Sequence, residues 1–96
     1  MTKKELVRTI AEATGYEQVT ISNILESALD CIKDSLCKDE TIYLRGFGAF
    51  SARAYKARIA QDIKGKKSIV VPAHRLPYFK PYNEFKDLLN ADQPNK

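Results

Sequence analysis

The fold class of this 96-residue chain depends on residues 41–67, which read TIYLRGFGAFSARAYKARIAQDIKGKK. Ile42 and Leu44 alternate with less apolar neighbours, and this period of two is typical of a β-strand. The corner Gly46-Phe47-Gly48 ends that strand, and Phe50 begins another extended run. This segment therefore predicts a β-hairpin or the start of a sheet.

Residues 53–67 are strongly basic and hold few bulky apolar side chains. They carry six Lys or Arg against one Asp, so they cannot form a core of their own. Asp62 and Gly65 suit the first and fourth positions of a type I turn, which predicts the tip of a long two-stranded ribbon. Because an isolated ribbon is marginally stable in water, we expect it to be mobile alone and to order against a partner.

Two helices precede this segment. Thr2 and Glu5 form a capping box, which predicts a helix that begins at the next position after the threonine. Gly15 supplies the left-handed conformation that commonly ends a helix. From about Gln18 apolar residues recur at helical spacing, which predicts a second and longer helix. The two helices form a predicted helical hairpin.

The last third of the chain returns to extended structure before a final helix. The β-branched residues at 68–71 predict a strand, and we expect residues 76–80 to continue it after Pro72. Pro81 precedes a short amphipathic segment that predicts a C-terminal helix. We expect the sheet side chains of Phe47, Phe50 and Phe79 to build the core together with the helices.

These elements predict an α+β fold with a helical hairpin base, a three-stranded antiparallel sheet, an extended β-ribbon arm and a short C-terminal helix. We expect one domain over residues 1–90, with the arm at about 53–68 and a flexible tail at 91–96. Without the ribbon and tail, only about 75 residues remain for a core, near the lower limit for independent stability. An intertwined dimer would complete that core, so we expect a homodimer, or a heterodimer with a related chain.

Charge is segregated along the chain. Residues 1–40 carry five Lys or Arg and eight Asp or Glu, and residues 41–96 carry eleven and four, so the halves have formal charges of −3 and +7. Such a field favours a polyanionic partner, either nucleic acid or an anionic membrane, over uniform solubilising charge, although a merely soluble basic protein is the alternative. The longest apolar stretch is far shorter than the roughly 20 residues of a spanning helix. We therefore expect a cytoplasmic protein without a membrane partner.

The sequence contains no catalytic or metal-binding motif. His74 is the only histidine, and the glycines of the 46–48 corner do not extend to a phosphate loop or a dinucleotide fingerprint. Cys31 and Cys37 lie six residues apart in one predicted helix, where their side chains face different directions and cannot form a disulfide. We expect a protein that is not an enzyme, with no cofactor, no metal and no small-molecule substrate.

The basic ribbon is the predicted binding element for DNA. Its cations can reach phosphates on both sides of a groove, although a charged edge that prevents strand-to-strand aggregation is the alternative interpretation. Ile63, an apolar residue at an exposed turn, can act as a wedge in the minor groove; contact with another protein or with its own arm is the competing interpretation. The candidate DNA-binding residues are Lys3, Arg53, Lys56, Arg58, Gln61, Ile63, Lys64, Lys66, Lys67, Arg75 and Lys80.

From residue 1 to about residue 90, the chain resembles the HU/IHF family of bacterial nucleoid proteins. The segments that carry the resemblance are LRGFGAF at 44–50, the arm with Arg53 and Arg58, and VPA at 71–73 leading through Pro77 to FKP at 79–81. The resemblance implies a dimer whose two β-arms embrace double-stranded DNA, insert a tip residue into the minor groove and bend the duplex.

This chain departs from the family pattern at the arm. The family's tip usually reads Asn-Pro, whereas this chain has Asp62 and Ile63, so Ile63 takes the wedge position and Asp62 adds a charge that repels phosphate. Tyr55 and Gln61 stand where the family often has basic groups, which implies fewer phosphate contacts. We expect largely non-specific bending of DNA for nucleoid organisation. The alternatives are an RNA-binding protein and a protein-interaction module without DNA bending.

Overall fold

The computed structural model describes residues 1–62, 65 and 67–91, with the backbone alone described for residues 61, 62 and 67. In chain order the elements are α1 (Lys3–Thr14), α2 (Gln18–Cys37), β1 (Ile42–Leu44), β2 (Gly48–Tyr55), β3 (Arg58–Asp62), β4 (Lys67–Val71), β5 (His74–Pro81) and α3 (Asn83–Asn90). The predicted α+β fold, with its helical hairpin, three-stranded sheet, ribbon and C-terminal helix, is confirmed.

The helical hairpin follows from local signals. The Thr2 hydroxyl accepts a hydrogen bond from the backbone N–H of Glu5 at 3.3 Å, which satisfies one free donor of the first turn of α1. Gly15 ends that helix with a φ of 82°, and its N–H donates to the Ala11 carbonyl. Val7 of α1 and Ile21 of α2 are both buried.

The three-stranded sheet has the order β1-β2-β5 and is antiparallel throughout. Gly46 has a φ of 79°, and the Phe47 N–H donates to the Leu44 carbonyl at 3.0 Å, so the predicted corner is a tight turn between β1 and β2. The longer pairing joins β2 to β5, from Gly48 opposite Pro81 to Tyr55 opposite His74.

The ribbon is a separate two-stranded antiparallel sheet of β3 and β4. Its described pairs run from Arg58 opposite Val71 to Asp62 opposite Lys67. The ladder is interrupted between the two sheets at residues 56–57 on one strand and 72–73 on the other. Pro72 contributes to the interruption because it has no N–H to donate to a ladder. The residues between Asp62 and Lys67 at the expected tip lie outside the described residues, except Gly65.

Four phenylalanine rings meet beside the three-stranded sheet. Phe47 lies with its ring centroid 4.9 Å from that of Phe79 and 5.0 Å from that of Phe85, and Phe50 lies 4.8 Å from Phe79. The predicted grouping of Phe47, Phe50 and Phe79 therefore occurs, with Phe85 of α3 added to it. Phe47 nevertheless keeps 40% of its surface exposed, so the cluster is open to further packing.

Backbone contacts group residues 1–34 into one compact unit and the described part of 35–96 into a second. The expectation of a single domain over residues 1–90 stays a prediction. None of the helices in the described ranges is long and apolar enough to cross a bilayer.

Candidate nucleic-acid interface

The strand register divides the three-stranded sheet into two faces. Side chains alternate along a strand, and directly paired residues of antiparallel strands point to the same side. Phe50 pairs with Phe79, so these two rings mark one face. We call the opposite side the open face. Its residues in β1, β2 and β5 include Tyr43, Ser51, Arg53, Tyr55, His74, Leu76, Tyr78 and Lys80.

Arg53 lies on the open face and contacts an aromatic ring. Its Cζ atom lies 3.7 Å from the centroid of the Tyr78 ring, a cation–π distance. The pairing Ser51–Tyr78 is adjacent to Arg53–Leu76 on the same face, which places the two side chains diagonally. The described ion pairs do not include Arg53, so within the described part of the chain its charge is not neutralised.

A second aromatic contact lies at the end of this sheet. The rings of Tyr55 and His74, which are paired residues, stack with centroids 5.4 Å apart and planes 16° apart. The His74 Nδ1 atom lies 2.9 Å from the Pro72 carbonyl oxygen. Because a carbonyl can only accept, Nδ1 carries the hydrogen in this bond. The stack and the hydrogen bond hold the last pair of the sheet next to the interruption before the ribbon.

Arg75 lies on the phenylalanine side of the sheet and is already paired. Its Nη1 atom donates to Asp39 Oδ1 at 2.7 Å and to the Cys37 carbonyl at 3.3 Å. The second bond satisfies one of the carbonyls that a helix leaves free at its C-terminal end. Asp39 adopts a positive φ of 60° just after α2. The structure therefore places this candidate in an ion pair away from the open face.

The other basic candidates of the helices and the sheet differ in their surroundings. Lys3 forms an ion pair with Glu26 of α2, and both side chains are about half exposed. Lys3 also lines a shallow depression together with Val7 and Val19. Lys80 is exposed on the open face, opposite Ala49. Lys80 therefore lies on the same face of the sheet as Arg53, whereas Lys3 lies in the helical hairpin.

The ribbon candidates divide into described and undescribed residues. Lys56 is exposed in the interruption, and Arg58 is exposed at the start of β3. The backbones of Gln61 and Lys67 lie in the β3–β4 ladder, opposite Ser68 and Asp62. Three further candidates, the predicted wedge among them, lie outside the described residues: Ile63, Lys64 and Lys66. Their roles stay predictions.

The comparisons identify the family. A family model described as bacterial DNA-binding protein matches residues 1–90. The chain belongs to the HU/IHF family of bacterial DNA-binding proteins. The resemblance proposed from the LRGFGAF segment and the arm is therefore confirmed.

HU and IHF relatives match nearly the full chain. It is 34% identical over 87 residues to the DNA-binding protein HU of Thermotoga maritima, covering 91% of this chain and 97% of that protein. It is 31% identical over 94 residues to the integration host factor subunit alpha of Myxococcus xanthus, covering 98% of this chain and 73% of that protein. Both branches of the HU/IHF family are thus similar to it at comparable identity.

The fold is also that of solved HU structures. An HU–DNA cocrystal structure from Anabaena superposes with a TM-score of 0.86 at 30% identity, covering 98% of this chain and all of that one. HU from Thermotoga maritima superposes with a TM-score of 0.66 at 26% identity, covering 93% of this chain and 98% of that one. The HU/IHF fold expected from the sequence is confirmed.

Two features of this HU/IHF chain were not found from the sequence. The first is the contact of Arg53 with Tyr78, and the second is the pairing of Arg75 with Asp39. The first needs the register of β2 against β5, because the partners are 25 positions apart in the chain. The alternating pattern of the sequence predicts that Tyr78 lies in a strand, but it does not show which residues of the neighbouring strand lie beside Tyr78.

Proposed function

We propose that this chain is an architectural DNA-binding protein that binds duplex DNA largely without sequence specificity, in the minor groove, and bends it. The observation that carries the proposal is the basic β3–β4 ribbon, which lies between β2 and β5 in the chain of a member of the HU/IHF family. The HU of the Anabaena cocrystal structure binds DNA, which supports the same ligand here. The protein acts on the bacterial nucleoid, in the cytoplasm, without catalysis.

The bending mechanism follows from charge and shape. Arg53, Lys56 and Arg58 follow one strand from the sheet into the ribbon, and all three are exposed. Cations along a ribbon contact phosphates on either side of a groove and fix the position of the protein without reading bases. Ile63 acts as the wedge that unstacks a base step. Deformable or already distorted DNA is preferred because its bending costs less free energy.

The functional unit is a homodimer, or a heterodimer with a related chain. Only Val7, Ile21 and Ala49 are buried hydrophobic residues within the described part of the single chain. Large apolar side chains stay uncovered, among them Ile24 of α2 at 64% and Leu88 of α3 at 73% exposure. Burial of apolar surface against a second chain contributes about 25 cal/mol per Å², so dimerisation stabilises such a fold.

A fluorescence bending assay tests this function. A short duplex with donor and acceptor dyes at its ends is titrated with the protein at low and moderate salt, for two unrelated sequences. We expect energy transfer to rise for both sequences. Binding without a rise in transfer contradicts bending, and stronger competition by structured RNA than by duplex DNA favours an RNA ligand. Absence of binding to either nucleic acid favours a protein-interaction module.

The wedge is tested separately with two matched substitutions. Ile63→Ser removes the apolar tip, and Ile59→Ser removes an isoleucine that is 74% exposed in β3. We expect the first variant to bind with a smaller rise in transfer and the second to bend as the unmodified protein does. Equal bending by the first variant would refute the wedge assignment while leaving the phosphate clamp in place.

Phosphate contacts are tested by the salt dependence of binding. Neutralising about 6–10 phosphates predicts a slope of about −5 to −9 in a plot of log affinity against log salt concentration. The slope is measured by fluorescence anisotropy with a labelled duplex. A flat dependence would show that electrostatic contacts do not carry the binding.

A further inference from the structure

The contact between Arg53 and Tyr78 has a feature that an ion pair lacks. The Tyr78 ring covers one face of the guanidinium group at 3.7 Å and carries no formal charge. A guanidinium group directs its five N–H donors outward in its own plane. A ring on its face therefore leaves those donors, and the full positive charge, for another ligand.

Arg75 provides the contrast within the same strand pair, in β5 opposite β2. It donates to the Asp39 carboxylate at 2.7 Å, so a carboxylate uses one of its donors and balances its charge. Arg53 and Arg75 both lie in the long β2–β5 pair, yet one has an aromatic partner and the other an acid. Arg53, whose partner is an uncharged ring, is therefore available to an anion, whereas Arg75 is already paired with an acid.

We propose that Tyr78 is a positioning residue for Arg53, whose guanidinium it holds ready for a DNA phosphate without neutralising it. The inference rests on the proposed function. An arginine side chain loses rotamer freedom when it binds a phosphate, and both long basic side chains have about 2 kcal/mol of such entropy to lose. A guanidinium that already lies on a ring loses less of it on binding, and affinity rises accordingly.

The expected magnitude follows from the strength of the contact. Cation–π contacts at exposed sites correspond to a factor of about two to five in an equilibrium constant. With one such contact in each chain of a dimer and independent arms, DNA affinity changes about five- to thirtyfold when both rings are removed. The number of phosphates contacted does not change, since Arg53 is retained.

The experiment measures duplex binding and its salt slope for a set of variants of the full chain. Tyr78→Leu removes the ring, and we expect about five- to thirtyfold weaker binding at an unchanged salt slope. Tyr78→Phe keeps the ring, and we expect the affinity of the unmodified protein. Arg53→Ala removes the phosphate contact, and we expect the slope to fall by about 0.9 for each chain. Tyr43→Leu is the matched control on the open face, since Tyr43 has no cation–π partner among the described residues.

A double-mutant comparison separates positioning from folding. In the Arg53→Ala background, Tyr78→Leu should have no further effect on affinity, whereas a structural role would weaken binding in both backgrounds. If a thermal unfolding scan shows that the Tyr78→Leu variant is not folded, the Arg53→Lys variant is measured instead. That variant keeps the charge without the planar group, and we expect weaker binding at an unchanged slope.

Three results would overturn the inference while the proposed function stands. They are unchanged affinity for Tyr78→Leu, equal weakening by Tyr78→Phe, and a full loss that persists in the Arg53→Ala background. If the unmodified protein binds no duplex DNA, the proposed function fails first and this inference fails with it. The binding curve of the unmodified protein therefore distinguishes the two failures.

Discussion

Gly48 and Gly46 occupy the same short corner for different physical reasons. Gly46 has a φ of 79°, and an added Cβ atom there would meet open space. Glycine is therefore favoured at position 46 by the backbone conformation and not by packing. Gly48 has an ordinary φ, but a Cβ atom there would lie 2.6 Å from the Lys80 carbonyl oxygen and 2.6 Å from the Phe79 ring. The second glycine is therefore required by the close packing of β2 against β5.

We expect Gly48→Ala to lower the free energy of unfolding by about 1–3 kcal/mol, because the added methyl group overpacks the strand pair. The Phe79 ring can tilt, but the Lys80 carbonyl belongs to the ladder and cannot move freely. Urea unfolding followed by circular dichroism measures the change. Gly46→Asn is the control, since asparagine tolerates the left-handed region, and it should change stability less. An equally stable Gly48→Ala variant would contradict this account of the packing.

Asp39 forms an ion pair with Arg75, and replacing Asp39 should free the Arg75 guanidinium from that pair. Asp39→Asn removes the carboxylate charge, and asparagine tolerates the positive φ of 60° that Asp39 adopts. Because the pair is exposed, we expect a loss of less than about 1 kcal/mol in unfolding free energy and modestly tighter DNA binding. Thermal unfolding and anisotropy titration measure the two effects.

The control for this prediction is Asp30→Asn, which makes the same change in net charge. Asp30 lies on α2 at 4.0 Å from the Lys33 ammonium group and has no contact with Arg75 among those described. If both variants tighten binding equally, the effect comes from net charge, and release of Arg75 is excluded as the cause.

At the scale of elements, the ribbon and the three-stranded sheet differ in what supports them. The pair β2–β5 is joined by β1 on one side and carries Phe50 and Phe79 in an aromatic cluster. The pair β3–β4 is a two-stranded sheet of its own, and its Ile59 and Val70 are 74% and 72% exposed. A two-stranded ribbon without a covered apolar face is marginally stable.

We therefore expect the backbone amides of β3 and β4 to exchange with solvent much faster than those of β2 and β5. Opening of weakly supported elements requires little free energy, whereas core strands open only with larger unfolding. Hydrogen exchange followed by mass spectrometry measures both pairs in one experiment. Duplex DNA should slow exchange in the ribbon, with the helical segment of α1 as an internal reference. Equal protection of both strand pairs without DNA would contradict the prediction.

At the scale of the whole molecule, the single chain leaves much of its apolar surface uncovered. Val19 and Ile24 of α2 are 70% and 64% exposed, and Leu89 of α3 is 67% exposed. An isolated chain of this size has little buried core, and a partner chain is the usual remedy. This open surface supports the proposed dimer.

A dimer that unfolds to separate chains should become more stable with concentration. Each tenfold increase in protein concentration stabilises it by about 1.4 kcal/mol per mole of dimer. We expect the thermal midpoint to rise over a hundredfold concentration series, and sedimentation at the highest concentration to give twice the mass of the chain. A midpoint independent of concentration, together with the mass of one chain, would contradict the dimer.

The sequence by itself determined the local structure and the family. The capping box of Thr2 and Glu5, the end at Gly15 and the 46–48 corner each act over a few residues, so their effects could be predicted before any contact was known. The change of period from helix to strand identified the α+β class. The LRGFGAF segment and the arm identified the HU/IHF family, which the comparisons confirmed.

Only the tertiary structure decided which basic side chains are free and which are occupied. Arg53, which contacts Tyr78, and Arg75, which pairs with Asp39, are both arginines of the β2–β5 strand pair. No residue near them in the chain distinguishes the two. Their partners lie 25 and 36 positions away, brought close by strand register and by the end of α2. Charge along a chain is a local property, but the neutralisation of a charge depends on what folding places beside it.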